Sequence, residues 1–458
     1  MAFEAVIGLE IHAQLLTETK IFCGCRTAFG AEPNTHVCPV CLGLPGALPV
    51  LNRRAVDYAI RASLALGCTI NEQSIFARKN YFYPDLPKGY QISQYEQPLA
   101  SEGRLHGVGI IRVHMEEDAG KSLHEGFADS ARKTYVDFNR SGVPLIEIVT
   151  HPDLRSAADA AAFFSALREM LVWLGVNDGN MEEGSLRCDA NVSVRPVGAT
   201  ALGTKAEVKN VNSFRFLQKA LEYEIDRQID LVSAGGRVVQ ETRLWDAHAG
   251  RTESMRSKEE AHDYRYFPEP DLPPLLVEAA RVEAIRRAMP ELPAARRARF
   301  AAQYALPEYD AQQLTQSRAL ADYFEAAVAA GAPAKAASNW TMQTGTAIAP
   351  AALASLIALV EKGTLSTSVA KSVHEKMVAT GQSADAIVAA EGLTQISDDS
   401  AIAALVAEVL AAHADAVAKY RAGHSGTFGF LVGQVMKAAG GKANPKRINE
   451  LLKQALAA

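Results

Sequence analysis

The segment Glu4-Ala-Val-Ile-Gly-Leu-Glu10-Ile-His12-Ala-Gln14 predicts a β-strand with one apolar and one polar face. Side chains alternate along a strand, so the two faces carry Ile7, Leu9, Ile11 and Leu15 against Glu10, His12 and Gln14. The apolar row can pack on a core. The polar row presents a carboxylate beside an imidazole, two ligand types that suit a divalent cation. A plain solvated face is the alternative, because half-exposed antiparallel strands show the same alternation.

The bulk composition is that of an ordinary globular protein. The chain has 458 residues, of which 48% are hydrophobic and 22% charged. That length suits roughly two to four domains with separate cores. No apolar run reaches the roughly 18 residues that cross a membrane, and no signal peptide opens the chain, so we expect a cytoplasmic protein. The net charge of -5 excludes a global basic field, so any contact with nucleic acid must be local.

Four of the six cysteines form two close pairs in the segment 23–41. The pairs are Cys23-Gly-Cys25 and Cys38-Pro-Val-Cys41, each on a turn rich in Gly or Pro. Such pairs can close a tetrahedral zinc site that pins loops with little core of their own. We expect the zinc to be structural, because four thiolates leave no open position for a substrate. The remaining two, Cys68 and Cys188, are expected to be buried thiols.

The chain changes character near residue 293. Residues 1–293 mix strands, turns and short helices, and six prolines between 265 and 293 predict an extended boundary segment. Beyond it, apolar residues recur at helical spacing, and Asn444-Pro445 predicts the start of a last helix. The expected fold is α+β. A first domain, 1–293, has a mixed or antiparallel sheet; a helical domain, 294–398, and a small helical tail, 399–458, follow, with a hinge near 395–400.

The tail differs in charge from the rest of the chain. Between Lys419 and Ala458 there are seven basic residues and one acid, Glu450, a net charge of 7 - 1 = +6. In a chain that is acidic overall, this asymmetry favours contact with a phosphate backbone, with a solvated helical face as the alternative.

Further predicted strands carry acids on one face. Ser185 to Pro196 alternates strictly, with Asp189 on its polar side and Glu183 just before it. Glu147 lies inside Val143-Pro-Leu-Ile-Glu-Ile-Val149, where an ionised carboxylate needs a cation or a metal. A third run, 110–118, places three acids next to a histidine. Separately, the aromatic and basic stretch 78–94 suits a nucleotide or an RNA end, or else holds core-packed tyrosines.

No familiar ATP-binding loop accompanies these acids. Gly120-Lys121-Ser122 resembles the end of a P-loop, but Met115 stands where that motif requires glycine. If the protein uses ATP, metal-bridged carboxylates would have to hold it.

Seven motifs in order resemble the B subunits of the tRNA-dependent amidotransferases. They are Glu10-Ile-His12, Arg78-Lys-Asn-Tyr-Phe-Tyr-Pro-Asp85, Tyr90-Gln-Ile-Ser-Gln94, His114-Met-Glu-Glu-Asp-Ala-Gly-Lys-Ser122, Pro144-Leu-Ile-Glu147, Glu182-Glu-Gly-Ser-Leu-Arg-Cys-Asp-Ala-Asn191 and Asp263-Tyr-Arg-Tyr-Phe-Pro-Glu-Pro270. The resemblance covers essentially the whole chain. It implies a cradle-shaped α+β domain that works with an amidase A subunit and a small C subunit in a heterotrimer. Such a protein uses ATP and Mg²⁺ to phosphorylate the side-chain carboxylate of Asp-tRNA(Asn) or Glu-tRNA(Gln), which ammonia then converts to the amide.

The resemblance also implies roles for individual positions. Glu10, His12 and Glu117 match the magnesium ligands, and a second metal or ATP contact is assigned to Glu147, Glu183 and Asp189. Lys79 and Lys88 lie in the stretch that resembles the mouth of the ammonia path. The tail resemblance implies contact with the tRNA body, for which the candidate residues are Lys437, Lys442, Lys446 and Arg447.

Two rival functions remain compatible with parts of the sequence. A non-catalytic, zinc-stabilised RNA-binding scaffold explains the cysteines and the basic tail but not Glu147. A stand-alone metal phosphotransferase acting on a small acid explains the carboxylates but leaves the tail without a role. ATP turnover, and its dependence on charged tRNA, separates these rivals from the amidotransferase.

Overall fold

The computed structural model describes residues 2–255, 264–393, 399–440, 443 and 445–457, with no account of the side chains of 445–446. The chain divides into two compact units, Met1–Leu292 and Pro293–Ala458. The expected α+β class is confirmed, because the first unit is built on sheets and the second on helices. The further division at residue 398 and the hinge near 395–400 stay predictions, since 394–398 lie outside the described residues.

The first unit contains all the strands of the described chain. They are β1 Phe3–Gln14, β2 Thr69–Ile70, β3 Gln73–Ser74, β4 Phe76–Asn80, β5 Tyr90–Gln94, β6 Ala100–Leu105, β7 Val108–Glu117, β8 Lys121–Leu123, β9 Tyr135–Asp137, β10 Pro144–Thr150, β11 Leu186–Pro196, β12 Ala206–Lys209, β13 Thr242–Asp246, β14 Arg251–Ser254, β15 Phe267–Pro268 and β16 Leu275–Leu276. Its helices are α1 Arg53–Ala65, α2 Ala157–Trp173, α3 Phe214–Ser233 and α4 Ala279–Ala288.

A nine-stranded sheet organises this unit, in the order β14-β13-β12-β11-β1-β10-β7-β6-β2. Its pairs are antiparallel except β12 with β13, so the predicted mixed sheet is observed. The opening strand β1 lies at the centre, between β10 and β11. Its apolar row is fully buried and joins apolar residues of α1, α2 and α3 in one core. The polar row faces the other way, as the alternation predicted.

The boundary segment 265–293 is only partly extended, contrary to the prediction from its prolines. Short strands occupy 267–268 and 275–276, but Ala279–Ala288 forms a helix. The physical reason is the spacing of the prolines: they cluster at 268–274 and 290–293, and the stretch between has none to interrupt a helical ladder.

The second unit is helical. Its helices are α5 Pro293–Gln303, α6 Glu308–Leu314, α7 Arg318–Ala329, α8 Ala334–Thr344, α9 Pro350–Glu361, α10 Thr367–Thr380, α11 Ala384–Glu391, α12 Asp399–Ala412, α13 Ala414–Arg421, α14 Gly426–Ala438 and α15 Pro445–Ala457. The last four share a core of their own, which includes Ile402, Leu431 and Leu452. α15 begins at Pro445, as predicted, whereas the expected N-cap, Asn444, lies outside the described residues.

Among the described residues no single helix is long and apolar enough to cross a membrane. α12 and α13 pass such a test only as a pair, by length and composition, and are bent by 91° where they meet.

Candidate active site

Four side chains from three neighbouring strands meet on the polar face of the large sheet. The register sets His12 opposite Glu147 and Glu147 opposite His114, and Glu116 follows His114 on the same face. His12 Nε2 lies 3.4 Å from Glu147 Oε2 and 3.8 Å from Glu116 Oε1. His114 Nε2 lies 3.2 Å from Glu147 Oε2 and 3.7 Å from Glu116 Oε2. Two imidazoles and two carboxylates therefore form one group, which we call the buried group although His12 itself is only half-buried.

The ionised forms of these four side chains stabilise one another. Burial alone would lower the pKa of His114, but the carboxylates of Glu147 and Glu116 raise it to about 9. Burial opposes charge on His12 as well, yet Glu147 and Glu116 leave the pKa of His12 above its usual value. Conversely, the imidazoles hold the pKa of Glu147 well below its ordinary range, although burial pushes it up. Without a cation, imidazolium charge balances the two carboxylates.

Three of these residues fit a divalent cation. One ligand atom from each of His12, Glu116 and Glu147 lies within 4.8 Å of the other two. Two carboxylates and one imidazole are hard and borderline donors that suit Mg²⁺ or Mn²⁺ better than a thiolate set would. The imidazole of His12 must lose its proton to serve as a ligand, so cation binding would release a proton.

Glu10 and Asp189 lie on the same face of the sheet as the buried group, next to His12. Glu10 follows the alternation from His12, and its carboxylate accepts a hydrogen bond from Asn191 Nδ2 at 2.9 Å. Burial and the neighbouring charges of Glu147 and Glu207 raise the pKa of Glu10. Asp189 is opposite Glu10 in the register and pairs with Lys209 at 2.8 Å. Both belong to the polar face, next to the four-residue group.

Glu117 is not brought together with Glu10 and His12, although the predicted magnesium trio requires it. Alternation turns it to the opposite side of β7 from Glu116, where it pairs with Lys88 and accepts the Ile92 N–H at 2.9 Å. Its neighbour Glu116 occupies the position beside His12. The sequence contained a signal for this difference. In an alternating strand His114 and Glu116 lie on one face, whereas Glu117 lies on the other face with the buried Val113 and Met115.

The other predicted site residues are placed as follows. Lys79 Nζ lies 4.9 Å from the ring centroid of Tyr264, and although burial lowers its pKa, the charges of Glu116 and Glu147 raise it above its usual value. Lys88 is with Glu117, beside a cavity of about 330 Å³ that the zinc segment also lines. Glu183 is exposed in a turn, where its backbone N–H donates to Asn180, and makes no contact with the buried group in the described residues.

The four clustered cysteines meet as predicted. All are free thiols, and their sulfur atoms lie within 4.8 Å of one another. Cys38 Sγ and Cys41 Sγ are 3.9 Å apart, close to the separation of about 3.8 Å that tetrahedral Zn–S bonds impose. Hydrogen bonds from the Cys23 thiol and the Cys38 N–H, aided by the Lys20 ammonium, lower the pKa of Cys41 to about 4. The cluster is suited to a soft cation such as Zn²⁺.

A buried lysine beside this cluster was not anticipated from the sequence. Lys20 is 0% exposed. Its ammonium donates to His36 O at 2.7 Å and Phe138 O at 3.2 Å, and lies 3.5 Å from Cys41 Sγ. The sequence offers no strong signal for it, since a single lysine before a turn is typical of a surface residue.

The candidate tRNA contacts of the tail are only partly described. Lys437 lies in the last turn of α14. Arg447 forms ion pairs with Asp399 and Glu450, the latter at 2.6 Å. Lys442 and the side chain of Lys446 lie outside the described residues. The positive charge of Arg447 is thus partly neutralised within the tail.

Comparisons with known proteins agree with the resemblance. The sequence signature described as the GatB/GatE catalytic domain matches residues 5–283, and that described as the GatB domain matches residues 322–456. The chain is 55% identical to the B subunit of the aspartyl/glutamyl-tRNA(Asn/Gln) amidotransferase of Myxococcus xanthus, over 99% of this chain and 98% of that protein. It is 54% identical to the protein of the same name from Geobacter sulfurreducens, over 100% of both chains.

Proposed function

The chain belongs to the GatB/GatE family, and on that premise we propose that it is the B subunit of an aspartyl/glutamyl-tRNA(Asn/Gln) amidotransferase, a ligase that forms a carbon–nitrogen bond with glutamine as nitrogen donor. The structural observation that supports this proposal is the set of His12, Glu116 and Glu147 within the buried group. Their donor atoms suit the divalent cation that ATP chemistry needs.

The chemistry solves a leaving-group problem. The side-chain carboxylate of a mischarged Asp-tRNA(Asn) or Glu-tRNA(Gln) is a poor acyl donor. Transfer of the terminal phosphoryl group of ATP to that carboxylate releases ADP and gives an acyl phosphate. Ammonia then attacks the carbonyl carbon, phosphate leaves, and the amide remains on the tRNA.

We assign the phosphoryl-transfer step to the polar face of the sheet. His12, Glu116 and Glu147 would hold Mg²⁺, which when bound offsets the negative charge of the phosphates and orients them. Glu10 and Asp189 extend this face and would contact ATP or a second cation. The resemblance placed Lys79 at the mouth of the ammonia path. Because its ammonium lies in the field of Glu116 and Glu147, we assign it instead to the incoming phosphate or carboxylate. The expected role of Glu183 as a second metal or ATP contact stays a prediction.

We assign ammonia delivery to the opposite side of β7. The cavity of about 330 Å³ is lined by Lys88 and Glu117 together with the zinc segment. Glu116 and Glu117 are consecutive, so the cavity and the phosphoryl-transfer site lie back to back across one strand. The Lys88–Glu117 ion pair would close the passage to water and part for neutral ammonia.

The remaining assignments concern partners and scaffolding. Because no glutaminase motif occurs in this chain, ammonia would come from an amidase A subunit, with a small C subunit as brace, in a cytoplasmic heterotrimer. Zn²⁺ on the four cysteines would be structural, since four thiolates fill its coordination. Lys437, Lys442, Lys446 and Arg447 would contact the tRNA body.

The test is ADP release by the assembled enzyme, with and without Asp-tRNA(Asn) or Glu-tRNA(Gln), in the wild type and in Glu10→Gln. We expect ADP only with mischarged tRNA, and its loss in the variant while glutamine hydrolysis by the partner stays measurable. ADP formation indifferent to tRNA would instead indicate a small-acid phosphotransferase. No ADP at all would leave an RNA-binding scaffold.

A further inference from the structure

A second cavity opens on the polar side of β7, beyond the buried group. Its volume is about 510 Å³, and its lining includes Gln73, Tyr95, Gln97, Ser101 and Arg112. None of these residues has a role in the phosphoryl-transfer or ammonia assignments above. Amide groups, an aromatic ring, a guanidinium and the carboxylate of Glu96 therefore line one cavity to which no role has yet been assigned.

Arg112 supplies a positive charge to this cavity, whose lining also includes one acid, Glu96. Arg112 precedes His114 by two positions on β7 and so points to the same face, about 7 Å along the strand. Its Nε is buried and has no hydrogen-bond partner in the described part of the chain. Nor does any described carboxylate lie within 4.0 Å of its guanidinium, unlike Arg78, which two acids hold. A buried guanidinium N–H without a protein partner needs an acceptor, which a ligand or a water molecule can supply.

Tyr95 supplies the aromatic surface. Its ring stacks on that of Tyr266 with centroids 4.4 Å apart and planes inclined by 8°, yet 48% of the residue stays exposed. The Arg112 guanidinium lies 5.9 Å from the Tyr95 centroid. Tyr266 in turn lies close enough to Lys79, Glu116 and Glu147 for their charges to act on its hydroxyl. The stacked pair therefore connects the cavity to the buried group.

The amides complete a surface suited to a heterocycle. The side chains of Gln73 and Gln97 are exposed and make no hydrogen bond to other residues within the described ranges, so their donors and acceptors are available to a ligand. A flat ring that stacks on an aromatic side chain and pairs its edge with amide groups is a nucleobase. A fatty or aliphatic ligand would leave the amides and Arg112 without partners.

We propose that this cavity binds the adenine base of an adenosine that takes part in the reaction. The inference rests on the proposed function, in which two adenosines enter: that of ATP and the 3′-terminal adenosine of the tRNA. Tyr95 stacks on the base, Gln73 and Gln97 contact its edge, and Arg112 donates to a ring nitrogen or a phosphate oxygen. From here the base lies along β7 from His114 and Glu116, so the attached phosphates or the esterified amino acid reach the buried group.

The experiment uses Tyr95→Leu and Arg112→Lys in the complete enzyme with its partner subunits. The matched control is Tyr309→Leu, which removes a tyrosine that is 66% exposed in the other unit. Steady-state amide formation gives KM for ATP and for Asp-tRNA(Asn), and binding of a fluorescent ATP analogue is measured directly. Thermal melting and glutamine hydrolysis report folding and assembly.

We expect Tyr95→Leu to raise one KM by about tenfold with little change in kcat, as loss of one stacked base predicts. A rise for ATP, with weaker analogue binding and a reduced preference for ATP over GTP, assigns the cavity to the nucleotide. A rise for the tRNA substrate alone assigns it to the 3′ end. Either result supports the proposal, and the control should change neither KM.

Unchanged KM values for both substrates in Tyr95→Leu and Arg112→Lys would overturn the proposal, as would a fall confined to kcat. If Tyr95→Leu fails to fold, Arg112→Lys decides alone, since it keeps the charge and changes only the geometry of the donors. These outcomes presuppose a wild type that makes ADP with mischarged tRNA. A wild type without that activity would instead refute the proposed function.

Discussion

Two adjacent glutamates on β7 should separate two halves of the reaction. Glu116 lies in the buried group with His12 and His114, whereas Glu117 pairs with Lys88 beside the other cavity. We therefore expect Glu116→Gln to abolish phosphoryl transfer. Glu117→Gln should leave ADP release nearly unchanged and lower the yield of amide per glutamine hydrolysed. The two variants make the same chemical change at consecutive positions, so each is the control of the other.

The size of the first effect follows from the charges. Burial opposes charge on His114, so the rise in its pKa from 6.5 to about 9 is a net preference of about 3 kcal/mol for the charged form, with Glu147 the largest favourable contributor and Glu116 the other. Glu116→Gln should thus lower the free energy of unfolding by about 1 kcal/mol near pH 7. Loss of a charged ligand should reduce ADP formation by about 100-fold or more, well beyond that change in stability.

The assay is ADP release and amide formation in parallel, on the assembled enzyme with saturating glutamine and mischarged tRNA. Titration of Mg²⁺ adds a direct readout, because Glu116→Gln should require a higher concentration and Glu117→Gln should not. The opposite pattern, with ADP release lost in Glu117→Gln and retained in Glu116→Gln, would refute the placement and restore Glu10, His12 and Glu117 as the ligand set.

Three further predictions concern stability and the tail. Lys20→Met removes the donor to two carbonyls and the cation beside Cys41. The variant should therefore release zinc faster in a chelator assay, and its free energy of unfolding should fall by about 2 kcal/mol. An unchanged rate of zinc release would contradict this role of Lys20. Hydrogen bonds from Arg299 and Tyr304, with Arg296 nearby, lower the pKa of Glu325 from 4.5 to about 2. The ionised carboxylate therefore adds about 1 kcal/mol to the free energy of unfolding above pH 4.5, and this contribution is lost as the pH falls towards 2. The difference in melting temperature between wild type and Glu325→Gln should narrow over that range, and a constant difference would exclude this cause. Removal of residues after 398 should weaken tRNA binding and flatten its salt dependence in filter binding, and unchanged affinity would exclude the tail as a tRNA contact.

Much of the fold could be predicted because it depends on periodicity. The alternation in β1 and β11 determined which side chains are buried, and both strands are observed with the expected faces. The four cysteines were predictable for a different reason, since close pairs on turns are a local signal. The helix at 279–288 was missed because proline was counted over the whole segment and not by its spacing.

The membership of the site was less predictable, because it depends on which strands are neighbours. His12, His114 and Glu147 come together only because β10 lies between β1 and β7, an order that no local pattern contains. Within β7 the sequence did indicate that Glu116, and not Glu117, faces His12. Glu117 alternates in phase with the apolar Val113 and Met115, which are buried. The partners of Lys20 could not be predicted, since they are a thiolate cluster formed by residues 23–41 and a carbonyl from residue 138.

Residues 21–41, which include the four clustered cysteines, contact the end of β7 through a short chain of hydrogen bonds. Ile21 N–H donates to Gly142 O at 2.9 Å, Gly142 N–H donates to Asp118 O at 2.9 Å, and Ser141 Oγ donates to Cys41 O at 3.3 Å. Gly142 has φ of +84°, a backbone conformation that favours glycine, although a Cβ there would meet Lys20 Cδ and Cys41 Cβ only at ordinary contact distances of 3.4 and 3.5 Å. The cysteine cluster and Lys20 therefore hold the turn before β10 against Asp118, the residue that follows β7. If the four cysteines hold zinc, as we propose, the ion would stabilise this turn beside Glu117 without taking part in the reaction.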